Sequence, residues 1–388
     1  MLEAAFWISA GLIVYAHAGY PVALWLLRAL RPRGRGAEAP GAGAGPPDTE
    51  AGAAVPTEPS VSLIVAAYDE EQVIAAKVAN ALALDYPRQR LQVIVASDGS
   101  TDATVRLARE AGADLVLDLP RGGKIAAQNA AAARASGEIL AFSDANTIWR
   151  ADALRHLLGA FADPRVGYAC GQVRFLGSGG ENLEGAYWRY EMAVRGMESG
   201  LGGVTAGNGG IYAVRADAYI DLPPSASHDL SFPFELARRG LRSVYVPGAV
   251  AEEKMVPTIA GEFSRKRRMM IGLWDILISE RMLSPRGYRP LFAFQLASHR
   301  LLRYLTPFLH LVALGTNLAL LGSGPVYAVT LAVQLALLVG ALLAGAVPIG
   351  PFRIARYYVL VTASIAAGLW DRVRQGPPGA WEKAEGTR

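Results

Sequence analysis

The chain has 388 residues, of which 52% are hydrophobic and 19% charged, and its formal net charge is +4. A charge this small, with arginines gathered near apolar ends, argues against nucleic acid as a partner and for anionic membrane lipid. A lone cysteine, Cys170, excludes an internal disulfide, and its apolar setting VGYACGQV marks it as a buried structural thiol.

The apolar excess is uneven. From Ala4 to Leu27, and again from Tyr304 to Phe352, there is no Asp, Glu, Lys or Arg. Stretches longer than about 18 apolar residues read as membrane spans, so a transmembrane helix is expected over 4–30. AHA at 16–18 offers a small-residue cleavage site. Yet no basic residue precedes the apolar core, and Arg28, Arg31, Arg33 and Arg35 follow it, which reads as a retained anchor. Arginines on the downstream side place the middle of the chain in the cytoplasm, at the plasma (inner) membrane. Residues 33–59, a Gly/Ala/Pro tract, cannot offset their ordering entropy by burial and read as a flexible linker.

A soluble-looking middle follows over 60–260. SVSLIVAAYDEE opens it as a strand, QVIAAKVANALAL is a helical pattern, and LQVIVASDGS is a second strand leading into the helix DATVRLAREAG. A short strand, DLVLDL, precedes the loop and Ala-rich helix of PRGGKIAAQNAAAARASG, and EILAFSDANT is the next strand. Strands alternating with helices at this spacing predict an α/β domain with a doubly wound, mostly parallel sheet. Ligands of such sheets sit outside the carboxyl ends of the strands. Three apolar strands end there on oxygen-rich residues: Tyr68-Asp69-Glu70, Asp98, and Asp144 with Asn146. Each carboxylate alone is also a good turn or helix cap. Their recurrence at one edge is the functional signal.

Taken together, these segments resemble the family 2 glycosyltransferases, nucleotide-sugar-dependent inverting enzymes of the GT-A fold. The resemblance rests on SLIVAAYDEE, VIVASDGSTDAT, GGKIAAQNAAAARASGEILAFSDANT, the Gly-rich GNGGIYAVR at 207–215, SHDLSFPFELARRG, and EFSRKRRMM. The last stands where the membrane-bound branch, which includes cellulose, chitin and hyaluronan synthases, carries an arginine motif, with Met269 at its tryptophan position. The resemblance implies a UDP-sugar donor, a glycan or lipid-linked acceptor, and Mg²⁺ or Mn²⁺ held by Asp144 and Asn146. Hard oxygen ligands suit such ions, which stabilise the departing diphosphate. It further implies a nucleotide site at Tyr68, Glu70, Asp98 and Lys124, where a carboxylate at Asp98 suits the imide N–H of uracil.

Inversion requires a base opposite the leaving group, and Asp229 is the candidate. Pro233 is expected in the first turn of the helix that begins near it. Gly207, Asn208, Gly209 and His228 are the implied sugar or acceptor contacts. Arg265 and Arg268, three apart and on one helical face, are candidates for the diphosphate. The competing reading puts these arginines on a membrane surface, since 261–300 has the pattern of amphipathic interface helices. Tyr187, Trp188 and Tyr190 read as core, with sugar stacking as the alternative. Three C-terminal membrane segments are expected over 303–371, followed by a tail at 372–388. The third, Tyr357 to Trp370, is about 14 apolar residues against the ~20 a span needs, so a tilted or re-entrant piece is expected.

Overall fold

The structure, a computed structural model, describes residues 1–30, 58–176, 183–254, 259–347 and 349–376. The expected linker, apart from its last two residues, and the tail beyond 376 lie outside the described residues.

The N-terminal segments α1 (Leu2–Val14) and α2 (Tyr20–Leu30) join through a π turn (Tyr15–Gly19) into one apolar helix. The α/β domain then begins with β1 (Val61–Ala67), α3 (Ile74–Leu82), β2 (Leu91–Asp98), α4 (Thr104–Glu110), β3 (Leu115–Leu119), α5 (Lys124–Ala132) and β4 (Ile139–Asp144). These are the elements expected from hydropathy, in the expected order. The chain continues through β5 (Ile148–Trp149), α6 (Ala153–Gly159), β6 (Val166–Leu176), α7 (Leu183–Leu201), β7 (Tyr212–Arg215), α8 (His228–Arg238) and β8 (Arg242–Lys254).

Among the described residues, eight strands form one sheet in the order β3-β2-β1-β4-β7-β6-β8-β5. The first four strands pair in parallel, but β7 runs antiparallel to both β4 and β6, and β5 antiparallel to β8. The doubly wound, mostly parallel sheet of the sequence reading is thus a mixed sheet. Hydropathy reveals a strand but not its direction. Direction is set by the connections, and β7 enters between strands that precede it in the chain.

Both faces of the sheet are covered, which is why the strands are continuous apolar runs rather than alternating ones. Every residue of β1 is buried. Leu63, Val93 and Ala141 face one layer with Trp149, Leu154 and Leu157; Ile64, Ile94, Leu140 and Phe142 face the other with Tyr168, Tyr212 and Phe232. Each large apolar side chain so buried contributes roughly 1.5–3 kcal/mol.

Beyond the sheet come α9 (Ile259–Ser279), α10 (Pro290–Gln295), a π turn (Leu296–Leu301), α11 (Leu302–Ala319), α12 (Pro325–Leu343) and α13 (Gly350–Gln375). Among the described residues, two helices are long and apolar enough to cross a membrane: Leu2–Leu30, with mean hydropathy 1.5, and Pro325–Leu343, with 2.3. The expected short third piece is part of one continuous 26-residue helix, α13. At 1.5 Å per residue it is about 39 Å long. Its apolar centre is short because its polar residues face a partner helix. Asp371 accepts from Arg267 of α9 at 2.6 Å, Arg372 donates to Asp275 of α9 at 2.6 Å, and Trp274 donates to the Ile365 carbonyl at 2.9 Å.

Candidate active site

The carboxyl ends of β1, β2 and β4 lie side by side, because Ala66 pairs with Asp144 and Ala67 with Ser97. The first two ends are clasped to each other. Asp69, in a left-handed conformation at φ 47, accepts from the Thr101 N–H at 2.7 Å, while the Asp69 and Glu70 N–H groups donate to Ser100 Oγ and Thr104 Oγ1. Glu70, expected at the nucleotide, is 2% exposed beneath this clasp and does not face the crevice. Its run of acidic residues marked a turn.

Asp98 departs from expectation in a related way. Its carboxylate is buried and satisfied: Oδ1 accepts from the N–H groups of Gly122 (2.7 Å) and Gly123 (2.9 Å), and Oδ2 from Arg121 (2.6 Å). Asp98 therefore holds the loop before α5 rather than offering an open acceptor. Gly123 adopts φ 95, a conformation only glycine takes easily, and so turns the chain into α5. The Arg121 guanidinium lies 3.4 Å from the centroid of the Tyr68 ring. That stacked pair, whose arginine sequence reasoning missed, forms a flat platform at the mouth of the crevice.

At the end of β4, Asp144 pairs with the Lys124 ammonium at the start of α5. Burial lowers the affinity of Lys124 for its proton, but Asp144 first, then Asp229 and Glu253, outweigh this and raise its pKa. Two further groups escaped the sequence reading. Glu253, near the end of β8, accepts from the Asn146 amide at 3.1 Å. Burial first, and the Asp144 charge second, push its carboxyl up to about 7. The signal was present, since GAVAEEK at 248–254 is another apolar strand ending on carboxylates. Lys77 is fully buried under the same turn and donates to the Thr147 carbonyl at 2.7 Å. Burial, opposed by Asp144, brings it down to about 7. Its place among Ile74, Val78 and Ala81 on the apolar face of α3 was the clue.

The residues at the ends of β4 and β8 fit a divalent ion. The Glu253 carboxyl, made harder to ionise by burial and by the Asp144 charge, stands with Asp144 and the Asn146 amide oxygen as a hard donor set of the kind such an ion relieves. Among the described residues no third carboxylate, His or Cys joins them. Phosphate oxygens of a substrate would have to complete the shell, as Mg²⁺ sites commonly allow.

Asp229 lies in the first turn of α8, whose N-cap is Ser227. Pro233 sits in the second turn, not the first as expected. Proline has no N–H to give the carbonyl four residues back, and that carbonyl belongs to Asp229. It accepts instead from the Gly207 N–H at 2.6 Å, tying the Gly-rich segment to the candidate base. Gly207 itself is required by space, because a Cβ there would lie 1.8 Å from Tyr168 Oη. At Gly209 the same construction points 3.9 Å from Lys124 Nζ, so this backbone lines the crevice.

Asn208 and His228 are corrected. Asn208 is buried, donating to the Gly171 carbonyl and accepting from Arg195 at 2.6 Å, so it braces the Gly-rich turn. His228 is sealed among Phe142, Tyr219 and Phe232 with Nδ1 2.6 Å from Tyr212 Oη. Burial, with Lys124 second, pushes it down to about 3, so it is a neutral core ring. Its polarity hid the aromatic setting that tertiary packing supplies.

Arg265, on α9, lies near enough to Glu253 to oppose the rise in its pKa. Arg268 is on the same face and partly exposed. Arg267 points elsewhere, to Asp371. Trp188 donates to the Val173 carbonyl at 2.8 Å and Tyr190 to the His17 carbonyl at 2.8 Å, so these rings join elements together. The Tyr187 side chain lies outside the described residues.

Residues 62–221 match the profile of glycosyl transferase family 2. This segment is a family 2 glycosyltransferase domain. The chain is 29% identical over 248 residues to a beta-monoglucosyldiacylglycerol synthase of Nostoc sp., covering 58% of this chain and 52% of the relative. It is 27% identical over 300 residues to an N-acetylglucosaminyltransferase of Rhizobium meliloti, covering 70% and 66%. The chain thus spans about half the length of the first of these relatives. Its fold is shared with the mannosyltransferase PcManGT of Pyrobaculum calidifontis, solved with GDP-Man and Mn²⁺, at TM-score 0.72 and 25% identity. That likeness covers 96% of this chain and 99% of the other. The architecture is therefore a GT-A-like α/β fold with a mixed sheet, and the helices at both ends belong to the shared structure.

Proposed function

We propose that the protein is a membrane-bound, metal-dependent inverting transferase. It moves a hexosyl or N-acetylhexosaminyl unit from a UDP-sugar to a glycan or lipid-linked acceptor, in the synthesis of an envelope or exported glycan. The observation that carries this reading is the convergence of Asp144, Lys124, Glu253 and Asp229 at one end of the sheet: Asp229, Asp144 and Glu253 all act on the charge of Lys124. Mg²⁺ or Mn²⁺, held by Asp144 and Glu253 with Asn146 beside them, would supply charge neutralisation for the leaving diphosphate. Lys124, Arg265 and Arg268 would bind the same oxygens. The Tyr68–Arg121 platform would hold the base.

The chemistry then needs one proton acceptor. The acceptor hydroxyl forms its bond to the anomeric carbon as the bond to the diphosphate breaks, and the electron pair leaves with the diphosphate. Asp229 takes the hydroxyl proton from the opposite face. A hydroxyl acceptor needs this base; a lipid phosphate, already ionised, would not. The position of Asp229 against the Gly-rich backbone thus favours a hydroxyl. A GDP-sugar is the second reading of the donor, favoured by the GDP-Man complex of the Pyrobaculum enzyme.

The deciding experiment measures nucleoside diphosphate release from UDP-glucose, UDP-GlcNAc and GDP-mannose with Mn²⁺, with and without membrane lipid extract. Lipid-stimulated release from a UDP-sugar supports the proposal. Release from GDP-mannose alone supports the second donor. Nucleotide binding without release from any donor would leave a non-catalytic, nucleotide-binding membrane scaffold.

A further inference from the structure

Between the N-terminal helix and helices α7, α11 and α13 lies a cavity of about 270 Å³, walled by His17, Tyr190, Arg303, Tyr358, Thr362 and Ile365 among others. At about 30 Å³ per water-sized group it has room for roughly nine such groups, a segment of one apolar chain rather than a whole lipid. No carboxylate is among its lining residues. Several of its polar groups have protein partners. Tyr190 donates to the His17 carbonyl, Tyr358 Oη is 2.7 Å from His310 Nε2, and Arg303 is paired with the buried Glu191. An anionic head would meet a guanidinium whose charge is already balanced, and would be desolvated with little return.

Apolar packing links the cavity to the segment that carries the candidate base. Ile365 lines it and also packs in the cluster containing Ala206, Leu230 and Tyr304. Leu230 follows Asp229 in the chain, and Ala206 precedes Gly207. On its other side the cavity borders the 29-residue apolar helix Leu2–Leu30. A chain seated here would come from the membrane side, against the apolar cluster that continues through Ile365 to Leu230, the neighbour of Asp229.

We propose that this cavity takes the apolar chain of an uncharged lipid alcohol, whose hydroxyl is the acceptor presented to Asp229. The proposal rests on the transferase reading above. The test uses the full chain in phosphatidylcholine vesicles carrying either dioleoylglycerol or dioleoyl phosphatidic acid, each with a diazirine near the end of one acyl chain. Photolabelled peptides are mapped, and stabilisation by Mn²⁺ with UDP or GDP is measured on the same samples. The expected result is diacylglycerol label on α11 and α13 residues that wall the cavity, reduced at least about tenfold by Thr362→Trp. Leu342→Trp, on the 82% exposed outer face of α12, should keep it. Label spread over outer helix faces and unchanged by Thr362→Trp overturns the proposal, as does stronger cavity labelling by phosphatidic acid. If Thr362→Trp fails to fold, the wild-type map and the preference between the two probes still decide. Failure of nucleotide stabilisation in the wild type sinks the transferase reading, whereas failure of cavity labelling alone sinks only this inference.

Discussion

Replacing Glu253 with glutamine tests the electrostatics of the site without removing bulk. The Glu253 carboxyl is held at about 7 against an ordinary 4.5, mainly by burial and next by the Asp144 charge. The folded state thus binds this proton more tightly than the unfolded state. That stabilisation is complete below about pH 4.5 and is lost as pH rises through about 7. The gap between the two values corresponds to at most about 3 kcal/mol of cost at alkaline pH. A glutamine at this position would be neutral throughout and free of this cost. Without metal, Glu253→Gln should equal the wild type near pH 4 and exceed it at pH 8.5 by up to about 3 kcal/mol, read as a higher melting temperature in detergent. With Mn²⁺ and nucleoside diphosphate this gap should close, because the ionised wild-type carboxylate binds the metal. Ligand at 100 times its Kd stabilises by about 2.7 kcal/mol, and the variant should forfeit most of that. A variant less stable than wild type at pH 8.5 without metal, or one with undiminished Mn²⁺-dependent nucleotide stabilisation, refutes the reasoning.

Three further outcomes are expected. Asp144→Ala should abolish turnover and Mn²⁺-dependent nucleotide binding while the fold survives; isothermal titration of UDP and GDP with Mn²⁺ checks this, and unchanged affinity counts against the metal site. Asp229→Asn keeps the shape but not the proton acceptor, so kcat should fall by about 10² to 10⁴ with donor affinity retained; transfer at the wild-type rate would reduce Asp229 to a structural residue. Gly207→Ala places a methyl group 1.8 Å from Tyr168 Oη and should cost about 1–3 kcal/mol as overpacking. Among the described residues Tyr168 Oη is buried without a hydrogen-bond partner, so adding Tyr168→Phe should recover part of the lost melting temperature.

The sequence by itself determined the first four strands, their helices and the edge at which they end. Apolar runs and helical periodicity are local properties, and a carboxylate at the end of a buried strand has few places to go. That Asp144 stands at this edge was legible for that reason. Strand direction beyond β4 was not, because β7 takes its place from neighbours far along the chain. Nor was the use of each polar group. Asp98 commits its carboxylate to backbone N–H groups 24 and 25 residues away, and His228 becomes a core ring only when Phe142, Tyr219 and Phe232 close round it. Glu253 reaches Asn146 across 107 residues of sequence, a distance at which no spacing rule operates. A residue's type limits the chemistry open to it. Which partner arrives first, and how much water is left, is decided by tertiary packing alone.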